Sequence, residues 1–238
     1  MNTSPRDYQE LYKLQNRVFE VLRLQLERFY LTGGTALGRF YLNHRYSDDL
    51  DFFIDRTPDF HQILNDLYTT LRVRFNLNED LTMQTDTYVR LWINEPLPLK
   101  IDFVNEVPER WGRFNLYKGI NVDNPANILA NKLGAVVSRD EPKDVFDIMV
   151  ISENYSFNWL EAYRQATKKQ LMNETDIAMR LSSFPVSWFA GQSWIKQNID
   201  PINCREKLDI IADDLLLGKD NSLARNKPHI TDSVLITT

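Results

Sequence analysis

Between Asp7 and Phe29 the apolar residues Leu11, Leu14, Val18, Leu22 and Leu26 fall three or four positions apart, the stripe of an amphipathic helix. The period then shortens. Phe29-Tyr30-Leu31-Thr32 reads as a short strand stopped by Gly33-Gly34, and Thr35 to Leu42 resumes a helical pattern. Leu50 to Ile54 is aromatic and apolar and reads as a buried strand, with Ser47-Asp48-Asp49 at its entrance. Thr57-Pro58 predicts the cap and first turn of a helix from about Asp59 to Phe75, whose Ile63, Leu67 and Leu71 share a face. Tyr88 to Ile93 and Leu99 to Val104, separated by Pro96 and Pro98, predict neighbouring antiparallel strands joined by a stiff loop.

After Asn124-Pro125 the pattern becomes helical throughout. Helices are expected over Ile128 to Val137, around Val145 to Ile151, from Trp159 to Leu171, from about Glu174 to Leu181, and from Asn203 to Leu217. The reading is thus a mixed α+β or α/β core with a mixed sheet over residues 1–122, a helical domain over 123–218, and a polar, partly ordered tail over 219–238. No internal repeat or low-complexity tract is visible.

The 238 residues are 43% hydrophobic, enough to bury a core, and carry a formal net charge of -5. A wholesale basic nucleic-acid coat is excluded. The charge is uneven: residues 1–46 hold seven Lys/Arg against four Asp/Glu (+3), 47–102 hold five against eleven (-6), and 103–238 hold sixteen against eighteen (-2). Cys204 stands alone, which excludes an intramolecular disulfide or a cysteine-rich zinc site and fits a reducing compartment. With neither a signal-peptide pattern nor an apolar run of membrane-spanning length, the expectation is a soluble, cytoplasmic protein without a membrane partner.

The acidic window holds the candidate chemistry. Alternation along a strand puts Asp49 and Asp51 on one side, so they can present two hard oxygen donors to one point, as Mg²⁺ (or Mn²⁺) requires. Gly33-Gly34 after a strand lets backbone approach closely and aims the N–H groups of the next helix at a phosphate. Asp102, flanked by Ile101 and Phe103 on a later strand, is a third carboxylate whose charge needs compensation. Two compensations are open: a metal shared with Asp49 and Asp51, or a cation such as Lys100 or Arg90.

The segment Leu31-Thr32-Gly33-Gly34-Thr35-Ala36-Leu37, then Arg39, His44-Arg45 and Ser47-Asp48-Asp49-Leu50-Asp51-Phe52-Phe53, resembles the opening of the AbiEii/AbiGii-type nucleotidyltransferase family, within the polymerase-β-like superfamily. A second block, Lys132-x-x-Ala135-x-x-x-Arg139 followed by Pro142-Lys143-Asp144-x-x-Asp147, is similar as well. The resemblance covers roughly residues 28–152. It implies a polymerase-β-like core with a C-terminal helical domain, and transfer of a nucleoside monophosphate from an NTP to an acceptor. By resemblance that acceptor is RNA, a tRNA 3′ end, and the chain is the toxin of a toxin–antitoxin or phage-defence module with a separate antitoxin partner. The resemblance further implies metal binding by Asp49, Asp51 and Asp102. It sets Gly33, Gly34, Thr35, Arg39 and Ser47 against the nucleotide, with Lys132, Arg139, Asp144 and Asp147 as the nucleotide-contacting and catalytic second block.

Simpler readings of that block stay open. Asp144 and Asp147 could form an acidic first turn complementing a helix dipole, and Arg139 could pair with either. His44 and Arg45 are candidate phosphate contacts, while His61 and His229 read as surface residues. Trp159, Tyr163, Trp188, Phe189 and Trp194 read as helix-packing residues, and Arg164 with Lys168-Lys169 as a solvated basic face. A protein-directed nucleotidyltransferase and a non-catalytic NTP-binding regulator remain as other classes of function.

Overall fold

The structure, a computed structural model, describes residues 7–236. The chain divides into two compact units, one of residues up to 36, 46–108 and 114–123, the other of 37–45, 109–113 and 124 onward.

The first unit is built on a seven-stranded mixed sheet. Its strands are β1 (Phe29–Thr32), β2 (Leu50–Asp55), β3 (Met83–Thr85), β4 (Tyr88–Ile93), β5 (Leu99–Glu106), β6 (Asn115–Tyr117) and β7 (Ile120–Val122), in the order β3-β4-β5-β2-β1-β7-β6. β1 runs antiparallel to β2 and parallel to β7, β2 runs parallel to β5, and the expected β4–β5 pair is antiparallel. Helix α1 (Tyr8–Leu22) starts where the Asp7 carboxylate accepts from the Gln9 and Glu10 amides, and it buries Leu11, Leu14, Val18, Phe19 and Leu22. Its end at Leu22 is earlier than the stripe predicts: the chain turns through 23–28 on bonds such as Phe29 N–H to the Leu26 carbonyl, which keeps Leu26 buried and Leu24 exposed. Along β2, buried Leu50, Phe52 and Ile54 alternate with less buried Asp51 and Phe53. Phe52 meets Phe19 and Phe103, so the β2 carboxylates face away from this aromatic core.

Helix α3 (Phe60–Arg74) begins later than its Thr57-Pro58 signal predicts, although the Thr57 hydroxyl accepts from the Asp59 N–H at 3.4 Å. Asp59 takes the cap position without a side-chain bond, and the backbone N–H and carbonyl of buried Thr57 are held by the Asn105 side chain on β5. Strands β6 and β7 were not expected either. They are joined by Lys118-Gly119, both at positive φ (47° and 87°), the backbone of a tight two-residue hairpin.

Helix α2 (Gly33–Phe40) carries residues of both units. The second unit holds α4 (Pro125–Ser138), α5 (Pro142–Asn154), α6 (Trp159–Thr167), α7 (Glu174–Ser183) and α8 (Pro201–Leu216). Asn124, Glu141, Asn158, Asn173 and Asp200 cap them through side-chain oxygens, and proline opens α4, α5 and α8. Trp159, Phe189 and Trp194 are buried as expected, whereas Trp188 is 46% exposed. Among the described residues no helix is long and apolar enough to cross a membrane.

Residues 219–236 are tied down by polar anchors that an apolar count cannot see. The buried Asn221 amide donates to the Ser152 and Tyr155 carbonyls at 2.6 and 2.8 Å, and its backbone N–H reaches Phe157. Asn221→Ala leaves two buried carbonyls without that donor, and the expected loss is about 2–4 kcal/mol in urea unfolding. The exposed Lys227→Ala should stay within about 0.5 kcal/mol; equal effects would show that Asn221 does not anchor this segment.

Candidate active site

Asp51 lies one strand from Thr32 and one from Asp102, in register with both. That places a carboxylate row over β2 and β5 beside the turn into α2. Gly33 has φ +68°, and a Cβ there would stand 2.6 Å from the Asp51 Oδ2, so glycine alone allows this approach. The Thr35 hydroxyl, in the first turn of α2, donates to the Asp49 carbonyl and fixes the loop that carries Asp49. On the other flank, Thr32 Oγ1 donates to Asp123 Oδ2 at 2.7 Å, and the fully buried Asp123 also bonds the Leu31 carbonyl through its backbone. Asp123 has no counterpart among the sequence candidates. Next to Asn124-Pro125 it reads as part of a helix cap, and only the β1–β7 pairing brings it to the site.

The charge of Asp102 is compensated by cations. Arg90, its register partner on β4, grips it through two nitrogens at 2.9 and 3.0 Å, and Lys100 Nζ stands 3.3 Å from it and 2.9 Å from Asp49. Burial alone would raise the Asp102 pKa, but the Arg90 bonds and the Lys100 charge outweigh it and hold the carboxyl below its ordinary value. Burial likewise works against the Lys100 ammonium, and Asp49, Asp51 and Asp102 together raise it. Three carboxylates therefore face two fixed cations. Asp49 and Asp51, hard oxygen donors beside a glycine cradle, fit a divalent ion that would take its remaining ligands from elsewhere. Among the described residues, no three acidic, histidine or cysteine side chains are placed to hold a metal ion by themselves.

The second block forms a separate, buried ionic cluster within the helical unit. Arg45 grips Asp147 at 2.6 and 2.7 Å, His44 Nε2 meets Asp147 at 2.8 Å, and Lys132 Nζ joins Asp144 and Asp147 at 2.6 and 2.8 Å. Arg139, itself largely exposed, closes on Asp144 at 2.7 and 3.1 Å. The Asp147 side chain is 0% exposed; burial would raise its pKa, yet Arg45 and Lys132 hold it well below the ordinary carboxylate range. Asp144 is lowered in the same way, and Lys132 is raised by the two aspartates against the effect of burial. His44 moves the other way: burial lowers its pKa despite the Asp147 bond and so favours the neutral ring, which can donate an Nε2–H to the Asp147 carboxylate. His44 and Arg45 are thus sequestered rather than offered to phosphate. Half-buried Arg39 lies at the end of α2 against the Phe40 ring, and Ser47 is buried, its backbone amide and carbonyl held by Tyr12 and Gln15.

The chain, with its mixed sheet, its glycine turn into a helix and its aspartates where the next strand opens, is of the nucleotidyltransferase class, as the family match gives it. The family model for the nucleotidyl transferase AbiEii toxin, type IV toxin–antitoxin system, matches residues 19–185, and the chain belongs to that family. Among solved structures the chain is similar to JHP933 from Helicobacter pylori (20% identity, TM-score 0.56, 88% of this chain and 92% of that one). It is also similar to a putative nucleotidyltransferase from H. pylori (21%, 0.58, 87% and 94%) and to MenT4, the nucleotidyltransferase toxin Rv2826c of Mycobacterium tuberculosis H37Rv (14%, 0.59, 88% and 84%). At these identities the likeness is one of fold. No curated protein matches the chain.

Two predictions follow from this geometry. Gly33→Ala forces a Cβ into Asp51 in a left-handed conformation, so chemical denaturation should show a loss of about 1 kcal/mol or more. Activity should fall by more than the folded fraction does. For His44, the unfolded chain takes up a proton near pH 6.5 and the folded chain only lower. Stability is therefore complete above about 6.5 and declines below it, by at most about 1.4 kcal/mol per pH unit for one proton. Thermal melts from pH 8 to 5 should show that decline in the wild type and a flatter profile in His44→Gln; parallel profiles would exclude His44 as its source.

Proposed function

We propose that this chain transfers a nucleoside monophosphate from an NTP to an RNA acceptor, a tRNA 3′ end, as the toxin of a two-component module acting in the cytoplasm with a separate antitoxin. The observation that carries the catalytic reading is the approach of Asp51 to Gly33, which sets the β2 carboxylates against the opening of α2, where a triphosphate finds backbone N–H groups. Asp49 and Asp51 would hold Mg²⁺ or Mn²⁺, which supplies Lewis-acid polarisation of the reacting phosphate and neutralises its charge. The acceptor hydroxyl attacks the α-phosphorus, a new P–O bond forms as the bond to the β-phosphate oxygen breaks, and pyrophosphate leaves. Asp102, kept ionised by Arg90 and Lys100, accepts the hydrogen bond of the attacking hydroxyl and orients it, and the released proton passes to solvent. For Lys132, Asp144 and Asp147 the proposed role is support: they neutralise one another and build the helical unit.

Incubation with each labelled NTP plus total tRNA or cell lysate tests the reading. Labelled RNA is the expected product; labelled protein would transfer the assignment to a protein-directed enzyme, and no label would leave only nucleotide binding. Asp49→Asn and Asp51→Asn should each lower transfer by about 100-fold or more with melting temperatures preserved. Full activity in either variant would remove that carboxylate from the chemistry.

A further inference from the structure

Helix α1 makes two contacts with the loop that leads into β2. The Ser47 N–H donates to the Tyr12 hydroxyl at 3.2 Å, and the Gln15 amide nitrogen donates to the Ser47 carbonyl at 3.3 Å. Both backbone polar groups of Ser47 are thus satisfied by side chains one turn apart on a single helix. One residue earlier, Tyr46 stacks on Tyr8 with ring centroids 4.1 Å apart and planes within 7°, and Tyr12 lies tilted against Tyr46. Gln15 is 0% exposed among the buried leucines of α1, where a polar side chain lowers stability unless it is bonded. Its neighbours Leu11, Leu14 and Val18 would be served as well by an apolar residue for packing alone.

Ser47 stands two residues before Asp49 and four before Asp51. The segment is pinned at Asp49 by the Thr35 hydroxyl and at Asp51 by the ladder to Thr32 and Asp102, and Ser47 is the third pin. The family model begins at residue 19, so Tyr8, Tyr12 and Gln15 lie outside the part of the chain it matches. We propose that Tyr12 and Gln15 are positioning residues for nucleotidyl transfer: they clasp Ser47 and thereby set the placement of the Asp49–Asp51 carboxylates. This rests on the catalytic reading of that pair. A displacement of about 1 Å at a catalytic group costs on the order of 100-fold in rate, so partial release of one of three pins should cost about tenfold.

Tyr12→Phe removes the hydroxyl and keeps the ring, and Gln15→Met keeps volume and removes the amide. In each variant kcat should fall about tenfold while KM for the NTP changes less than about twofold and the melting temperature holds within about 3 °C. Hydrogen exchange of the peptide spanning 46–52 should quicken, and the exposed Lys13→Ala should change neither readout. Unchanged exchange and kcat in both variants of an active protein would overturn the clasp, as would activity that falls only with the folded fraction. A wild-type chain that transfers no nucleotide would overturn the functional reading instead, while the exchange data would still report whether the clasp holds the loop.

Discussion

Asp51 and Asp102 face each other across the parallel β2–β5 pair, and a carboxylate row is tolerable there only because cations stand in the same register. Arg90 lies opposite Asp102 on β4, and Lys100, one alternation back on β5, reaches both Asp49 and Asp102. Shifting β4 or β5 by one residue would turn Arg90 or Lys100 to the aromatic face and leave the carboxylates uncompensated. The register is fixed from the other side by Leu50, Phe52 and Ile54 alternating into the core with Phe103, so the packing of one face dictates the electrostatics of the other. Asp123 and Thr32 extend the row across β1 and β7.

The cluster in the helical unit follows the same rule under deeper burial. Arg45, Lys132 and Arg139 face Asp144 and Asp147, and every carboxylate oxygen in the set has a cationic partner. Breaking such a cluster at one member is far more costly than the cluster's net contribution, by about 3–5 kcal/mol, because the remaining charges stay buried. A Lys132 or Asp147 variant that loses activity therefore reports on folding before it reports on nucleotide contact. The motif spacing is explained by this geometry: Lys132 and Arg139 lie seven apart along α4 and its C-cap, so both can close on Asp144 at the start of α5.

What was legible in the sequence is what periodicity encodes. The α1 stripe, the β1–glycine–α2 passage, the β4–β5 pair and the helical second half follow from spacings of two or of three and four, sustained over enough residues to register. Strands β3, β6 and β7 have three residues each, less than two periods of alternation, and take their existence from neighbours already in place. The Thr57 hydroxyl meets the Asp59 N–H as its signal predicts, but its backbone is held by Asn105, a residue 48 positions away that no local rule connects to it. The stretch after Lys219 has few apolar anchors, and Asn221, an ordinary polar residue in sequence, ties it down together with buried Ile230 and backbone bonds to Ser156.

Charge is the property that counting and geometry describe most differently. The window 47–102 holds eleven acids against five bases, an excess that reads as a demand for metal. In the fold, two of those five bases are Arg90 and Lys100, and they sit on the carboxylates themselves, so Asp49 and Asp102 are each paired with a cation. The acidic excess is therefore partly offset within the fold, and the triphosphate of the proposed substrate would add to what is left. Under the proposed function, that charge, and not the aspartates alone, would set the need for a divalent ion and would couple metal arrival to nucleotide arrival. An RNA end would, under that proposed function, be attracted by the bound nucleotide and ion, with no broad cationic face required in a chain of net charge -5.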